Sequence, residues 1–345
     1  MKQTPTRKNW QSLSDAALLK VRLKDLNVKV EGTWLEQCLE DLNGELAQRG
    51  IRLTAHGWIS DEWFSVPKHT TGIAIPFYLA HPRLMRLERK MVLEVEGGTV
   101  RDCMRILRHE AGHVIQQRYA LQRSRRWQIL FGKSSVKYPN HYRPKPNSKN
   151  YVQHLRLWYA QSHPDEDFAE TFAVWLNPRS AWRKRYAGWP ALKKLEYVDE
   201  LMAEINTLKA RPMPRLRIDP ISRLSQTLGE HYEKKRAYYT VDFPKTYDRD
   251  LHKIFSNDTT LRRAPTAAAF IRRNRSKLRK LVSKWTGEYP LTLETIIDRM
   301  IGRCRELKLR APGREADLFM NFAVLLTAQT SQLLYHRARR EWIAL

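Results

Sequence analysis

The residues with the clearest chemical potential lie in one short segment, RHEAGHVIQQ, which contains His109, Glu110 and His113. His109 and His113 are four residues apart, so on a helix their side chains project from the same face, one turn apart. Two neutral imidazoles placed in this way can bind one zinc ion. Glu110 lies beside the pair and is a candidate general base for an attacking water. Gly112 allows another backbone or side chain to approach this face closely.

A His-Glu-x-x-His pattern is short enough to occur by chance, so it needs support from a third ligand. The downstream segment HPDEDFAETFAVWL supplies two candidates, because Glu166 and Glu170 are four residues apart and share a helical face. A catalytic zinc site takes three protein ligands, and two histidines with a glutamate form one such set. A second carboxylate one turn away can orient a ligand histidine. Helical geometry alone does not choose between the two glutamates. The alternative interpretation is a solvated acidic helix start, which also suits the helix dipole.

With these residues in place, the sequence resembles the gluzincins, which are zinc peptidases with a His-Glu-x-x-His helix and a glutamate on a following helix. The segment EDFAETFAVWL looks like that of bacterial zinc-binding metallopeptidases and is similar to the corresponding helix of the anthrax lethal factor catalytic domain. The resemblance covers about residues 30–200. It implies one zinc ion per chain, with Glu166 as the third ligand and Glu170 as the partner of a ligand histidine.

Such enzymes also need a hydrogen-bond donor for the oxyanion of the tetrahedral intermediate. In the lethal-factor-like group a tyrosine shortly before the ligand glutamate has this role, and the resemblance points to Tyr159, seven residues before Glu166. Tyr151 and His163 are rival donors, and packing of Tyr159 in the core is an equally good interpretation. The resemblance further implies that the strand near residues 73–78 pairs with an extended substrate, although core packing explains its apolar residues equally well.

Local sequence signals predict that each pair of candidate residues lies on a helix. Thr99 and Asp102 predict a helix start, and that helix runs to about Tyr119. Pro164 lies near the start of the second helix, which is predicted to end at Asn177 because the next residue is a proline. Both pairs of candidate side chains therefore lie on predicted helices.

A helix and a small sheet are predicted upstream. A capping box of Thr33 and Glu36 begins the helix, which stops at Gly50. Strands are predicted over residues 51–54, 72–79 and 91–95. Pro76 lies inside the second strand, which is therefore predicted to be an edge strand or to contain a bulge. Residues 121–150 are interrupted by glycine and prolines and are predicted to form a long surface loop.

The 345-residue chain carries a formal net charge of +26 and has a pI of about 10.1. A generally basic protein and a dedicated polyanion-binding surface both explain this charge, and no single basic stripe dominates. Cys38, Cys103 and Cys304 are far apart and form no Cys-x-x-Cys pair, which favours reduced, buried thiols. The N-terminus lacks the apolar core of a secretory signal, and no transmembrane segment is predicted. We therefore expect a cytoplasmic protein.

Composition and the resemblance together divide the chain into three predicted parts: a basic N-terminal segment (1–30), a metallopeptidase domain (31–210) and a basic helical C-terminal domain (211–345). Helices in the last part are predicted over residues 266–286, 292–309 and 314–342. The segment 270–285, FIRRNRSKLRKLVSKW, places apolar residues on one side and basic residues on the rest. Such a helix can grip phosphates or an anionic membrane, or it can be a solvated basic face that docks on its apolar stripe.

These observations predict an α+β fold: a zincin-like metallopeptidase domain with a small sheet and two zinc-binding helices, followed by an all-helical C-terminal extension. The predicted function is hydrolysis of peptide bonds in a protein or peptide substrate. One alternative is an inactive or regulatory zincin-fold protein whose basic C-terminal helices bind nucleic acid or another polyanion. Another is a zinc hydrolase of a non-peptide amide. The presence of Glu110 favours an enzyme, because a structural site has no use for that base.

Overall fold

A computed structural model of the chain describes residues 10–65, 72–139, 141–142, 144–207, 216–239, 247–340 and 343–344. Contacts divide the chain into two compact units. The first unit comprises Met1–Lys90, Val95–Tyr232 and Ala344–Leu345, and the second comprises Met91–Glu94 and Glu233–Ile343. Each unit is described by itself below. The three-part division predicted from composition and the resemblance stays a prediction.

Helices make up most of the described chain. The α-helices are α1 (Asp15–Leu18), α2 (Trp34–Gln48), α3 (Pro82–Val92), α4 (Val100–Tyr119), α5 (Arg125–Phe131), α6 (Pro164–Leu176), α7 (Trp182–Arg185), α8 (Ala191–Asn206), α9 (Leu228–Tyr239), α10 (Asp248–Leu251), α11 (Ala267–Thr286), α12 (Pro290–Glu306) and α13 (Glu315–Arg340). Short 3-10 segments cover Trp10–Ser12, Leu23–Asp25, Phe77–Ala80, Leu121–Arg123, Arg156–Gln161, Ile221–Arg223 and Thr259–Leu261.

The strands are short and few: β1 (His56–Ser60), β2 (Phe64–Ser65), β3 (Gly72–Pro76), β4 (His141–Tyr142) and β5 (Ile343–Ala344). In the first unit, β3 lies between β1, to which it is parallel, and β2, to which it is antiparallel. Every residue of β3 is buried, as expected for a strand with neighbours on both sides. The prediction of an edge strand at Pro76 is therefore wrong. Pro76 is the last residue of the central strand, and the edges of this sheet belong to β1 and β2.

The helix predicted from the Thr33 capping box is confirmed. The Thr33 hydroxyl accepts the N–H of Leu35, and the Glu36 carboxylate accepts the N–H of Gly32 at 2.8 Å. The helix is followed by Gly50 at a positive φ of 76°. Its predicted apolar face is buried: Leu35, Cys38, Leu39, Leu42 and Leu46.

Three other predictions need correction. Residues 51–54 form no strand, and the strand begins at His56 instead. The strand predicted over 91–95 is wrong, because α3 continues to Val92. Its buried residues Leu84 and Leu87 have helical rather than alternating spacing. The loop predicted over 121–150 contains α5, where Trp127 and Phe131 are buried one turn apart.

The N-terminal segment contributes to the core of the first unit from residue 10 onward. Trp10 is buried and its indole N–H donates to the carbonyl of Leu26 at 2.9 Å. Ser14 caps α1, and Leu18 and Leu23 are fully buried. Residues 10–26 are therefore ordered by packing, which their polar and basic composition did not predict.

The second unit contains the three predicted C-terminal helices, α11, α12 and α13. Their apolar faces form one core with residues from α10 and the adjoining turns: Leu251, Phe255, Phe270, Ile271, Leu278, Leu293, Ile297, Met300 and Phe322. The basic face of α11 is partly neutralised inside this unit. Arg275 and Arg279 both pair with Glu294, and Arg273 pairs with Glu315. No helix in the described part of the chain has both the length and the apolar character needed to cross a membrane.

Candidate metal centre

Helices α4 and α6 carry the predicted metal ligands and pack directly against each other. The closest approach is at Gly112, where a Cβ atom would lie 2.8 Å from Cα of Ala169 and 3.2 Å from its carbonyl oxygen. Only glycine allows the two backbones to come this close. This contact lies next to His113 on one helix and one turn after Glu166 on the other. The predicted close approach at Gly112 is confirmed.

His109, His113 and Glu166 meet between these helices and form a group that could hold a metal ion. The Nε2 atoms of the two histidines lie 3.1 Å apart. Oε2 of Glu166 lies 3.0 Å from Nε2 of His109 and 3.2 Å from Nε2 of His113. A tetrahedral zinc ion bonded at about 2.1 Å holds its ligand atoms about 3.4 Å apart. The near-equilateral triangle of donors therefore fits zinc, both in chemistry and in size.

The other ring nitrogen of His109 faces a second carboxylate. Its Nδ1 lies 2.9 Å from Oε1 of Glu170, which is 1% exposed. The second oxygen of Glu170 accepts the backbone N–H of Leu155 at 2.8 Å. With Nδ1–H donating to Glu170, the lone pair on Nε2 points toward Glu166 and His113, as a metal ligand requires.

Burial and charge act in opposite directions on these groups. Burial alone would lower the pKa of His109, but hydrogen bonds and charges from Glu166 and Glu170 outweigh it and raise that pKa well above its usual value. The pKa of His113 is raised in the same way, mainly by the charge of Glu166. Burial opposes ionisation of Glu166, yet His113 and His109 hold its pKa well below the usual range.

The acidic start of α6 is buried rather than solvated. Asp165, Glu166 and Asp167 are 7%, 5% and 2% exposed, which excludes the interpretation of a solvated acidic helix start. Asp165 accepts a hydrogen bond from the buried side chain of Gln116 on α4 at 2.5 Å. Asp167 pairs with Lys194 of α8 at 2.5 Å, and burial raises the pKa of Asp167 to about 7. Each flanking acid thus has a partner that fixes the first turn of α6.

Glu110 lies on α4 between the two histidines and is 8% exposed. Among the described residues, no hydrogen bond or ion pair engages its carboxylate. Its charge does reach the site, since it contributes to raising the pKa values of His113 and of Tyr159. Glu110 is therefore a buried carboxylate beside the triangle with free acceptor capacity.

Tyr159 lies against the same cluster. Its ring centroid is 5.6 Å from that of His109. Burial, followed by the charges of Glu166 and Glu110, raises the pKa of Tyr159 well above its usual value. The phenol therefore keeps its proton and remains a hydrogen-bond donor.

The backbone before Tyr159 has an unusual conformation. Leu157 and Trp158 are consecutive non-glycine residues with positive φ values of 57° and 56°. Each such residue costs about 1–2 kcal/mol, so the surroundings must hold this turn in place. The hydroxyl of Tyr142 donates to the carbonyl of Leu157 at 2.7 Å and contributes to doing so. Strain of this kind is frequent at functional sites.

The two rival oxyanion donors lie elsewhere. Tyr151 packs beneath the ammonium group of Lys194, 4.4 Å from its ring centroid. His163 caps α6, with Nδ1 accepting the N–H of Asp165 and Nε2 lying 2.8 Å from the carbonyl of Val136. Both nitrogens of His163 are thus engaged by backbone groups. Tyr159 is the candidate that the structure brings next to a predicted ligand.

Sequence reasoning missed one residue of the site, Tyr138. Its hydroxyl donates to Oε1 of Glu166 at 2.9 Å, and its ring stacks on His163 with centroids 3.7 Å apart. Burial and the charge of Glu166 raise the pKa of Tyr138, which keeps it a donor. Tyr138 lies 28 residues before Glu166 in an irregular segment, and no spacing rule connects the two.

Comparison with known proteins agrees with this geometry. Residues 86–201 match the sequence model of a family described as "putative zinc-binding metallo-peptidase". The matched range contains α4, α6 and every member of the cluster described above. No curated protein and no solved structure gave a significant match.

Proposed function

We propose that the chain is a zinc-dependent metallopeptidase. The observation that carries this proposal is the triangle of His109 Nε2, His113 Nε2 and Glu166 Oε2, with edges of 3.0–3.2 Å, beside the buried carboxylate of Glu110. One zinc ion would be held by these three side chains, which leaves a coordination position open for reaction. The proposed fold of the first unit is zincin-like, with the gluzincin arrangement of ligands on two helices.

Zinc bound there supplies a Lewis acid that lowers the pKa of water and polarises the carbonyl of the scissile bond. Glu110 takes the proton from the attacking water and delivers it to the leaving amine. Its burial and its lack of a fixed partner among the described residues suit this role, because the carboxylate is free to accept. The reaction consumes one water and yields a carboxylic acid and an amine.

Tyr159 is the proposed donor to the oxyanion that forms when water attacks the carbonyl. Its ring lies 5.6 Å from that of His109, and its raised pKa keeps the hydroxyl protonated. Glu170 acts through His109 by holding Nδ1–H, so it is a positioning residue rather than a ligand.

The proposed substrate is a protein or peptide, in keeping with the family whose model matches residues 86–201. A non-peptide amide would undergo the same chemistry, and it is the alternative that a substrate screen must address. Cys38, Cys103 and Cys304 are buried free thiols, which supports the proposal that the enzyme acts in the reducing environment of the cytoplasm.

The second candidate function is polyanion binding by the basic face of α11, with the zincin fold as an inactive scaffold. The observation in its favour is that Arg272, Lys277, Lys280 and Lys284 are exposed. Against it, Arg275 and Arg279 are already paired with acidic residues of α12. Retention on heparin that falls when Arg272 and Lys280 are replaced by glutamate would support this candidate, whereas unchanged retention would reject it.

The test of the main proposal combines metal analysis with a cleavage screen. The purified chain should contain about one zinc per molecule, should lose hydrolysis of a diverse peptide library when treated with a chelator, and should regain it with added zinc. Absence of zinc at saturating concentration would contradict the proposal. Cleavage that persists in the zinc-free protein would also contradict it.

A further inference from the structure

A segment before α6 is tied to the start of that helix at two points. The Nδ1 atom of His163 accepts the backbone N–H of Asp165, so the proton of the neutral ring lies on Nε2. That N–H donates to the carbonyl of Val136 at 2.8 Å. Two residues later, the ring of Tyr138 stacks on the same imidazole with an interplanar angle of 14°. We call residues 136–138 the strap.

The strap places the Tyr138 hydroxyl against the carboxylate of Glu166. Tyr138 donates to Oε1 of Glu166 at 2.9 Å, while Oε2 of the same carboxylate faces both histidines. The two oxygens of Glu166 therefore have different partners. One faces the metal position, and the other is occupied by a phenol.

We propose that Tyr138 holds Glu166 as a one-oxygen ligand and so keeps a coordination position open for water and substrate. This inference rests on the proposed zinc site. A carboxylate can bind zinc through one oxygen or through both. A hydrogen bond to Oε1 stabilises the charge on that oxygen and fixes the rotation of the carboxylate, so only Oε2 is presented. Tyr138 is a positioning residue, since it acts on the ligand and not on the substrate.

Packing alone does not explain a tyrosine at this position. The residue as a whole is 44% exposed, so its ring contributes little to the core beyond the stack on His163. A phenylalanine could stack on His163 equally well. The hydroxyl is the group that distinguishes tyrosine here, and its partner is the oxygen of Glu166 that the histidines do not face.

The test compares the full chain with the Tyr138→Phe variant, which keeps the ring and the stack. We expect the variant to bind zinc about 10- to 100-fold more weakly, as is typical when a partner of a metal ligand is lost. We also expect its cobalt-substituted form to show weaker visible absorption bands, because these bands lose intensity when the ion gains a ligand. Both readouts are independent of catalysis.

Tyr247→Phe is the matched control. It removes a buried tyrosine hydroxyl of the second unit that has no hydrogen-bond partner among the described residues. Its zinc affinity and cobalt spectrum should equal those of the unmodified chain. A Tyr138→Phe variant that behaves like this control would overturn the inference while leaving the zinc site intact. An unmodified chain that takes up no zinc would instead contradict the proposed function, and this inference with it.

Discussion

His109 Nδ1 and Glu170 Oε1 lie 2.9 Å apart, in a part of the protein where the histidine is 3% and the glutamate 1% exposed. The opposite edge of the same imidazole faces Glu166 at 3.0 Å. The two glutamates therefore approach His109 from its two nitrogens. Glu166 is therefore the candidate metal ligand and Glu170 is the residue that orients His109, although both glutamates lie on the same face of α6.

The two glutamates should differ in their effect on zinc binding. Glu166→Ala removes a ligand atom and should leave the protein almost free of metal after purification. Glu170→Ala removes the partner of His109 Nδ1 and should lower zinc affinity by about 10- to 100-fold, with full occupancy at saturating zinc. A competitive zinc titration of the two variants measures this difference. The reverse order of affinities would assign the ligand role to Glu170.

The close contact at Gly112 should be required for metal binding. A methyl group there meets the backbone of Ala169, so Gly112→Ala should push α4 away from α6. We expect the free energy of unfolding in chelator to fall by about 1–3 kcal/mol. Zinc affinity should fall as well, because the histidines and Glu166 lie on different helices.

Gly44→Ala on α2 is the control for this substitution, because nothing lies within 4 Å of a Cβ at that position. Replacing a helix glycine by alanine without a clash should stabilise the protein by about 0.5–1 kcal/mol. Chemical denaturation and a zinc titration of both variants test the pair. Equal effects at the two glycines would show that the contact between α4 and α6 is not tight.

Stabilisation by zinc should grow as the pH rises. The folded, zinc-free protein has raised pKa values at His109 and His113. Protonation of the two histidines stabilises the folded state fully below their unfolded-state pKa of about 6.5. This stabilisation is lost as the pH rises through their raised pKa in the folded state. Zinc requires the deprotonated rings, so protons compete with it most strongly at low pH.

The measurement is the difference in Tm between zinc-loaded and chelator-treated protein, from about pH 6 to about pH 9. Taking a difference on the same chain cancels the titration of groups outside the site. The difference should increase with pH, and the variant with both His109 and His113 replaced by alanine should show none at any pH. A constant difference in the unmodified chain would argue against competition between protons and zinc.

Tyr159→Phe should separate catalysis from metal binding. The hydroxyl is proposed to donate to the oxyanion, so its loss should lower kcat by about 10²- to 10³-fold while zinc affinity stays near that of the unmodified chain. Tyr151→Phe is a suitable comparison, because that ring packs against Lys194 and should have little effect on kcat. Similar losses in the two variants would mean that Tyr159 has no special part in the reaction.

Much of the candidate site follows from local patterns in the sequence. Thr99 caps α4 and His163 caps α6, and each helix carries its acidic or imidazole side chains at a spacing of four residues. The choice between Glu166 and Glu170 does not follow from this spacing. It depends on how α6 is placed against α4, which the contact between Gly112 and Ala169 determines.

Other features depend on contacts that are distant in sequence. The apolar residues of β3 fit an edge strand or a central strand equally well, and only pairing with both β1 and β2 decides between them. Leu157 and Trp158, which both have positive φ values, contain no glycine between them, so the sequence does not predict the turn that they form. Tyr138 lies in an irregular segment, where no helical or strand periodicity relates it to Glu166.

Glu110→Gln tests the central claim most directly, because the substitution keeps the size of the side chain and removes its ability to accept a proton. The account predicts that the variant binds about one zinc per chain with the affinity of the unmodified protein. It also predicts that hydrolysis of those library peptides that the unmodified chain cleaves falls by at least about 100-fold. Loss of zinc from the variant would contradict the assigned role of Glu110. Cleavage at the rate of the unmodified chain would contradict the proposed mechanism.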